Sequence, residues 1–185
     1  MTDLLQADPQ AVILAWDEAW VYAQTAPNRV WSPVGQAPQV WVSSQRDCLA
    51  FYGALNLRTG QEHAIMTDKM NQRTSATFLE HLLTLYPDQQ MLLICDNASW
   101  HNGAPLAQVL EQHPRLQLTF LPVACPELNP QEHVWASVRR TLERLTPAQR
   151  FAQLAQAFLL TLRSTWVHPC LFEHYAPPTL SALTG

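Results

Sequence analysis

The first legible pattern along the chain is a continuous apolar run, Ala11-Val12-Ile13-Leu14-Ala15-Trp16, which stops at Asp17-Glu18. An uninterrupted apolar stretch of this length predicts a strand buried on both faces, with the two acids at its C-terminal end. The Pro-studded segment from Pro27 to Pro38 reads as loop, and Gln39 to Ser43 and Cys48 to Leu57 read as strands. The turn Arg58-Thr59-Gly60-Gln61 and a returning strand near Glu62 to Met66 complete an antiparallel meander. From Thr74 the period changes: Phe78, Leu79, Leu82, Leu83 and Tyr86 recur at helical spacing, and Pro87 closes the segment. A strand Met91 to Cys95 ends at Asp96. The polar stretch Asn97 to Gly103 then leads into a helix with Leu106, Val109 and Leu110 inward and a strand from Leu116 to Leu121.

The last third predicts two helices, Gln131 to Leu145 and Pro147 to Trp166, with Pro147 separating them from a first-turn position. The second helix carries Phe151, Leu154, Ala155, Phe158, Leu162 and Trp166 on one stripe. Beyond His168-Pro169 the tail is Pro-rich and irregular. Hairpin strands followed by helix and strand alternation describe an α/β fold. It has a mixed sheet, with antiparallel hairpin strands and a central parallel strand, and helices on both faces. In such sheets ligand chemistry gathers at the carboxyl ends of strands.

With 185 residues, 48% of them hydrophobic and 14% charged, the chain can bury one real core, and no repeat or second domain is legible. It is read as a single domain over 1–185, its core at 12–145 and a C-terminal helix and tail at 146–185. A formal charge of −4 gives no general footprint for nucleic acid, so any DNA contact must be local. Cys48, Cys95, Cys125 and Cys170 form no Cys-x-x-Cys pair, which excludes a zinc knuckle and a redox motif and suits free thiols in a reducing cytosol. The run at 11–16 is too short for a signal peptide or a membrane span, so the expectation is a soluble, cytoplasmic protein, nucleoid-associated when bound to DNA.

Three acids stand where rigid elements stop or start: Asp17, Asp96 and Glu132. Singly, each has a structural reading, Asp96 as a turn or cap acid and Glu132 as a complement to a helix dipole. Together they meet the requirement of a two-metal phosphoryl-transfer site, in which hard oxygen ligands converge from separate rigid elements. Asn129 and Pro130 form a cap and first-turn device that aims Glu132, and Trp135 one turn on anchors that helix to the core. Glu18 should face away from Asp17, because successive strand side chains alternate, and Glu127 reads as a solvated turn acid. Arg139, Arg140 and Arg144 suit either DNA phosphate or an ordinary surface, and Trp100 offers a ring for an unpaired base, although the tryptophans are mainly core.

The series Asp17-Glu18, Phe51 to Leu57 with Thr59-Gly60, Cys95-Asp96-Asn97-Ala98 with His101, Leu121-Pro122, and Pro126 to Pro130 with Glu132 and Trp135 resembles the catalytic domain of bacterial insertion-sequence transposases related to mariner elements. The match runs in order over roughly residues 12 to 145, and 35 residues separate Asp96 from Glu132, close to that family's habit. The resemblance implies a ribonuclease-H-like fold and an Asp, Asp, Glu triad of Asp17, Asp96 and Glu132, acting as catalytic residues and as ligands of two Mg2+ ions, with Mn2+ as substitute. It implies Asn97 and His101 as supporting residues. The expected reaction is DNA cleavage and strand transfer at transposon ends and target, by a homodimer. The family's helix-turn-helix region is not expected within this chain, which leaves DNA-end recognition to a separate polypeptide. Gln131 stands where the family is usually apolar, Cys125 where it usually has Ser, and Val34 where it often has Lys. The rival readings are a catalytically silent, transposase-derived binding protein and a ribonuclease-H-like nuclease acting on RNA hybrids.

Overall fold

The computed structural model describes residues 8, 10–22, 33–36, 47–123, 125–142 and 151–167; for Leu142 and Thr141 only the backbone is described. The strand predicted at Gln39 to Ser43, Pro147, Arg144, Cys170 and the tail lie outside the described residues, as does most of the predicted loop at Pro27 to Pro38.

Five strands form one mixed sheet: β1 (Val12–Tyr22), β2 (Cys48–Asn56), β3 (Glu62–Thr67), β4 (Met91–Cys95) and β5 (Leu116–Phe120), in the spatial order β3-β2-β1-β4-β5. β1, β2 and β3 form the antiparallel meander, and β4 and β5 run parallel to β1. The helices are α1 (Gln72–Leu85), α2 (Ala104–Gln112), α3 (Pro130–Leu142) and α4 (Phe151–Arg163), with short 3-10 turns at Ser99–His101 and Pro126–Leu128.

β1 is the spine, and its alternation assigns the two sides of the sheet. Val12, Leu14 and Trp16 join Phe78, Leu79 and Leu82 of α1 and Leu106 and Val109 of α2 in one core layer. Ala15, Ala19 and Val21 join Val134, Trp135 and Val138 of α3 and Phe158 and Leu162 of α4 in the other. A central strand wetted on neither face must read as a near-continuous apolar run, which is why Ala11 to Trp16 is legible. Truncating a ring such as Phe158, fully buried against Phe51, to alanine costs about 3–5 kcal/mol.

Local chemistry sets the helix ends. α1 begins two residues before the expected Thr74, because Asn71 caps it, its side chain accepting from the Arg73 and Thr74 amides while Thr74 reaches back to the Asn71 amide. Its C-terminal carbonyls are taken by Arg115, whose guanidinium donates to Leu83 and Tyr86 and to Gln89 beyond the end. α4 is tied to the sheet edge by Arg163 Nε donating to the Ala64 carbonyl, and Val167 closes on Gly60, whose φ of 75° leaves no room for a side chain.

Candidate active site

Asp17, Asp96 and Glu132 line one cavity of about 270 Å³, together with Asn97, Asn129 and the Leu121 to Val123 segment. Each acid arrives on a different element, and each is placed by identifiable bonds.

Asp17 lies in the middle of β1 and not at its end, contrary to the expectation from the apolar run. Parallel pairing with β4 covers only Val12 to Ala15, whereas antiparallel pairing with β2 continues to Tyr22. The sheet therefore forks beyond Ala15, and Asp17 sits at the fork, beside the end of β4. The acids do not stop the strand because both faces supply partners. Asp17 turns to the α3 side, where Trp135 Nε1 donates to its Oδ2 at 3.0 Å. Glu18 turns to the α1 side, as alternation requires.

Asp96 directly follows β4. Its Oδ1 accepts from the Ala98 amide at 2.9 Å and from His101 Nδ1 at 2.9 Å, and its side chain is 54% exposed. Glu132 occupies the first turn of α3. Asn129 caps that turn, its Oδ1 accepting from the Gln131 amide and its carbonyl from the Glu132 amide, while its Nδ2 donates to the Trp16 carbonyl. The cap thus holds the helix start directly to β1.

Burial is the main reason that Asp17, 8% exposed, has its pKa raised from 3.8 to about 7; the charges of Glu132 and Glu18 add to it, against the bonds from the Glu18 backbone and Trp135. Without a cation, a carboxyl so disposed keeps a proton well above the usual carboxylate range and loses it only as pH rises through about 7.

His101 is fully buried and does not line the cavity. Its Nε2 meets Glu18 Oε1 at 2.9 Å and its Nδ1 meets Asp96, so both ring nitrogens face carboxylates and both donate. Burial opposes its charged form, but hydrogen bonds with Cys95 and Glu18 and the Glu18 charge outweigh it and hold its pKa up at about 11. Trp100 Nε1 donates to Glu18 Oε2 at 2.7 Å. Glu18 is therefore the hub of a buried polar cluster behind Asp96, which the sequence did not disclose. Asn97 does line the cavity, and its Nδ2 donates to the Leu121 carbonyl at 2.7 Å, joining the loop after β4 to the end of β5. Arg139 and Arg140 are exposed on α3.

Three residues of the site's floor escaped the sequence reading. Gly53 of β2 pairs with Asp17 across the strands, and an added Cβ would overlap Gln131 Nε2, Glu62 Oε1 and the Trp135 ring. Gln131 and Glu62 are both buried and bonded to each other. The one available signal was a glycine inside an apolar strand, the usual mark of close approach by another group.

The donor set suits a hard divalent cation: oxygen-only, mutually repelling, with Asp17 already desolvated and Oδ2 of Asp96 without a hydrogen bond to the described residues. Among the described residues no three acidic, histidine or cysteine side chains form a ready-made cation cluster, so the acids share a cavity wall without meeting at a point. Cys48, Cys95 and Cys125 are free thiols, and among the described residues no helix is long and apolar enough to cross a membrane.

The sequence profile of the DDE superfamily endonucleases matches residues 12–155. An insertion element IS630 uncharacterized 39 kDa protein from Shigella sonnei is 23% identical over 129 residues, which cover 69% of this chain and 38% of that protein, so the chain spans well under half of that relative's length. Among solved structures, the catalytic domain of Mos1 mariner transposase superposes with a TM-score of 0.60 at 12% identity, covering 98% of this chain and 85% of that one. The Mos1 transposase paired-end complex with left transposon end gives 0.57 at 12% identity, over 98% of this chain and 57% of that one. The HTLV-2 integrase catalytic core domain in complex with magnesium gives 0.51 at 9% identity, over 83% and 86%. At these identities the structural likeness shows a shared ribonuclease-H-like fold.

Proposed function

From the premise that this chain belongs to the DDE superfamily of endonucleases, we propose that it is the catalytic part of an insertion-sequence transposase, cleaving DNA and joining the freed end to a target. The observation that carries this reading is the sharing of one cavity wall by Asp17, Asp96 and Glu132, each delivered by a separate rigid element.

In this reading the three carboxylates would hold two divalent ions, Mg2+ or Mn2+. When bound, such ions lower the pKa of an attacking water or hydroxyl and neutralise charge developing on the phosphate. Asp17 would give up its proton to serve as a ligand. His101, held by Glu18, fixes Asp96 from behind, and Asn97 holds the rim. A water oxygen attacks phosphorus and the bond to the 3' oxygen breaks, leaving a 3'-hydroxyl and a 5'-phosphate. The freed hydroxyl then attacks a target phosphodiester in the same geometry. Both steps are in-line displacements at phosphorus, so no covalent enzyme intermediate is required. The substrates are transposon ends and target DNA, the working unit is a homodimer that brings two ends together, and a helix-turn-helix polypeptide supplies end recognition.

The test is nicking of supercoiled plasmid by the purified chain in Mn2+, with and without a DNA-binding partner. The expected products carry 3'-hydroxyl ends. Asp96→Asn should abolish them while leaving the fold unchanged, because Asp96 is half exposed; cleavage retained by that variant overturns the assignment.

A further inference from the structure

Below the carboxylates, on the α3 side of the sheet, two polar side chains are sealed from solvent. Gln131 is 0% and Glu62 2% exposed, and Gln131 Nε2 donates to Glu62 Oε1 at 2.7 Å. The remaining oxygen of each group, Glu62 Oε2 and Gln131 Oε1, is buried without a hydrogen-bond partner. An ionised Glu62 would thus keep a bare charged oxygen in the core, an arrangement that burial penalises heavily. A proton on Oε2 removes that charge and supplies the donor that Gln131 Oε1 lacks. One proton satisfies both orphaned atoms and closes a two-bond ring between a carboxylic acid and a carboxamide. Burial pushes the Glu62 carboxyl well above the usual range, with the Gln131 bond opposing and the Asp17 charge adding.

The location of this pair gives it a purpose. α3 is tied to β1 at two points, Asn129 to the Trp16 carbonyl and Trp135 to Asp17. Both of these ties run to one strand, and the apolar packing of Val134, Trp135 and Val138 lies further along the helix. The Gln131 tie reaches β3, two strands away, and fixes the first turn of the helix at a third point. Gln131 is also the residue immediately before Glu132. We infer that Glu62 is a neutral carboxylic acid paired with Gln131, and that this pair is a positioning device that holds Glu132 in register with Asp17 and Asp96. The positioning half rests on the proposed reading of Glu132 as a cation ligand.

The experiment compares the full chain with Glu62→Gln, Gln131→Glu, the reciprocal double variant and Gln131→Met. The readouts are Mn2+ binding by titration calorimetry, thermal melting, and the infrared band of a protonated carboxyl, the last recorded for each variant in an Asp17→Asn background so that the Asp17 proton does not contribute. Glu62→Gln keeps a two-bond ring and should bind Mn2+ as the parent does, melt no lower, and lose the infrared band. Gln131→Glu opposes two acids and should weaken Mn2+ binding about tenfold or more, and the reciprocal double variant should recover it. Should Gln131→Glu not fold, Gln131→Met should show the same loss of affinity. Tenfold weaker binding by Glu62→Gln overturns the neutral pair, and parent-like binding by both Gln131 variants overturns the positioning role. A parent chain that binds no Mn2+ brings down the cation-site reading and the positioning role with it, and the infrared band then decides the pair alone.

Discussion

Trp135 Nε1 donates a hydrogen bond to Asp17 Oδ2 at 3.0 Å, so a core tryptophan on α3 is bonded to the most buried of the three acids. This bond, with one from the Glu18 backbone, lowers a pKa that burial and the charges of Glu132 and Glu18 raise. Trp135→Phe keeps most of the buried ring and removes the donor. It should destabilise the fold by about 1–3 kcal/mol and move the pH at which Mn2+ binds upward. Urea unfolding and calorimetry at several pH values check the two effects. An unchanged pH midpoint for Mn2+ binding would show that the indole does not act on Asp17.

Stability in metal-free buffer should fall as pH rises. Asp17 has its pKa raised from 3.8 to about 7 in the fold, so the folded state holds a proton that the unfolded chain releases. Its contribution is full below about pH 4 and is lost as pH rises through 7, with a slope of at most about 1.4 kcal/mol per pH unit. Glu62 acts in the same sense. His101, raised from 6.5 to about 11, extends the decline to higher pH. Asp17→Asn should flatten the curve between pH 4 and 7 and raise the urea midpoint at neutral pH, at the expense of cleavage. A wild-type midpoint that climbs across that window contradicts the assignment.

Gly53→Ala should be costly for a single methyl. The new Cβ would collide with Gln131, Glu62 and Trp135 together, which pushes the start of α3 off the sheet. Overpacking of this kind costs about 1–3 kcal/mol. Mn2+-dependent nicking should fall further than the stability loss explains, because Glu132 rides on the displaced turn. Melting and nicking rates measured on the same preparation separate the two.

Breaking the pair behind Asp96 should be more damaging still. Glu18→Leu leaves the His101 imidazolium without its main buried counter-charge, and removing one partner of such a pair costs about 3–5 kcal/mol. The pKa of His101 should drop, readable by NMR titration of the ring protons. A high His101 pKa in that variant would mean that Asp96 and Cys95 hold the charge without Glu18.

The elements built on periodicity were legible in the sequence. β4 was read residue for residue, and the turn at Arg58 to Gln61 and the inward faces of α1 and α2 follow from spacing alone. Asp17 was legible as an acid after an apolar run, but its place in mid-strand was not. That placement depends on Trp135, 118 residues away along the chain, and no local pattern reports such a partner. Glu18 was rightly read as facing away from Asp17, but its bonds to His101 and Trp100, and the bond between Glu62 and Gln131, were missed for the same reason. A buried polar residue looks like a surface one until its partner is known, and each of these partners comes from a distant segment.

The fork beyond Ala15 also bears on when the site comes into being. β1 pairs with β2, the next described strand along the chain, but it meets β4 only after all of α1 has been made, and Glu132 emerges later still. A nascent chain can thus complete its meander with one acid of the three in place. The assembled cavity therefore forms only once the chain has been made through Glu132; a shorter nascent chain lacks one or two of its three acids.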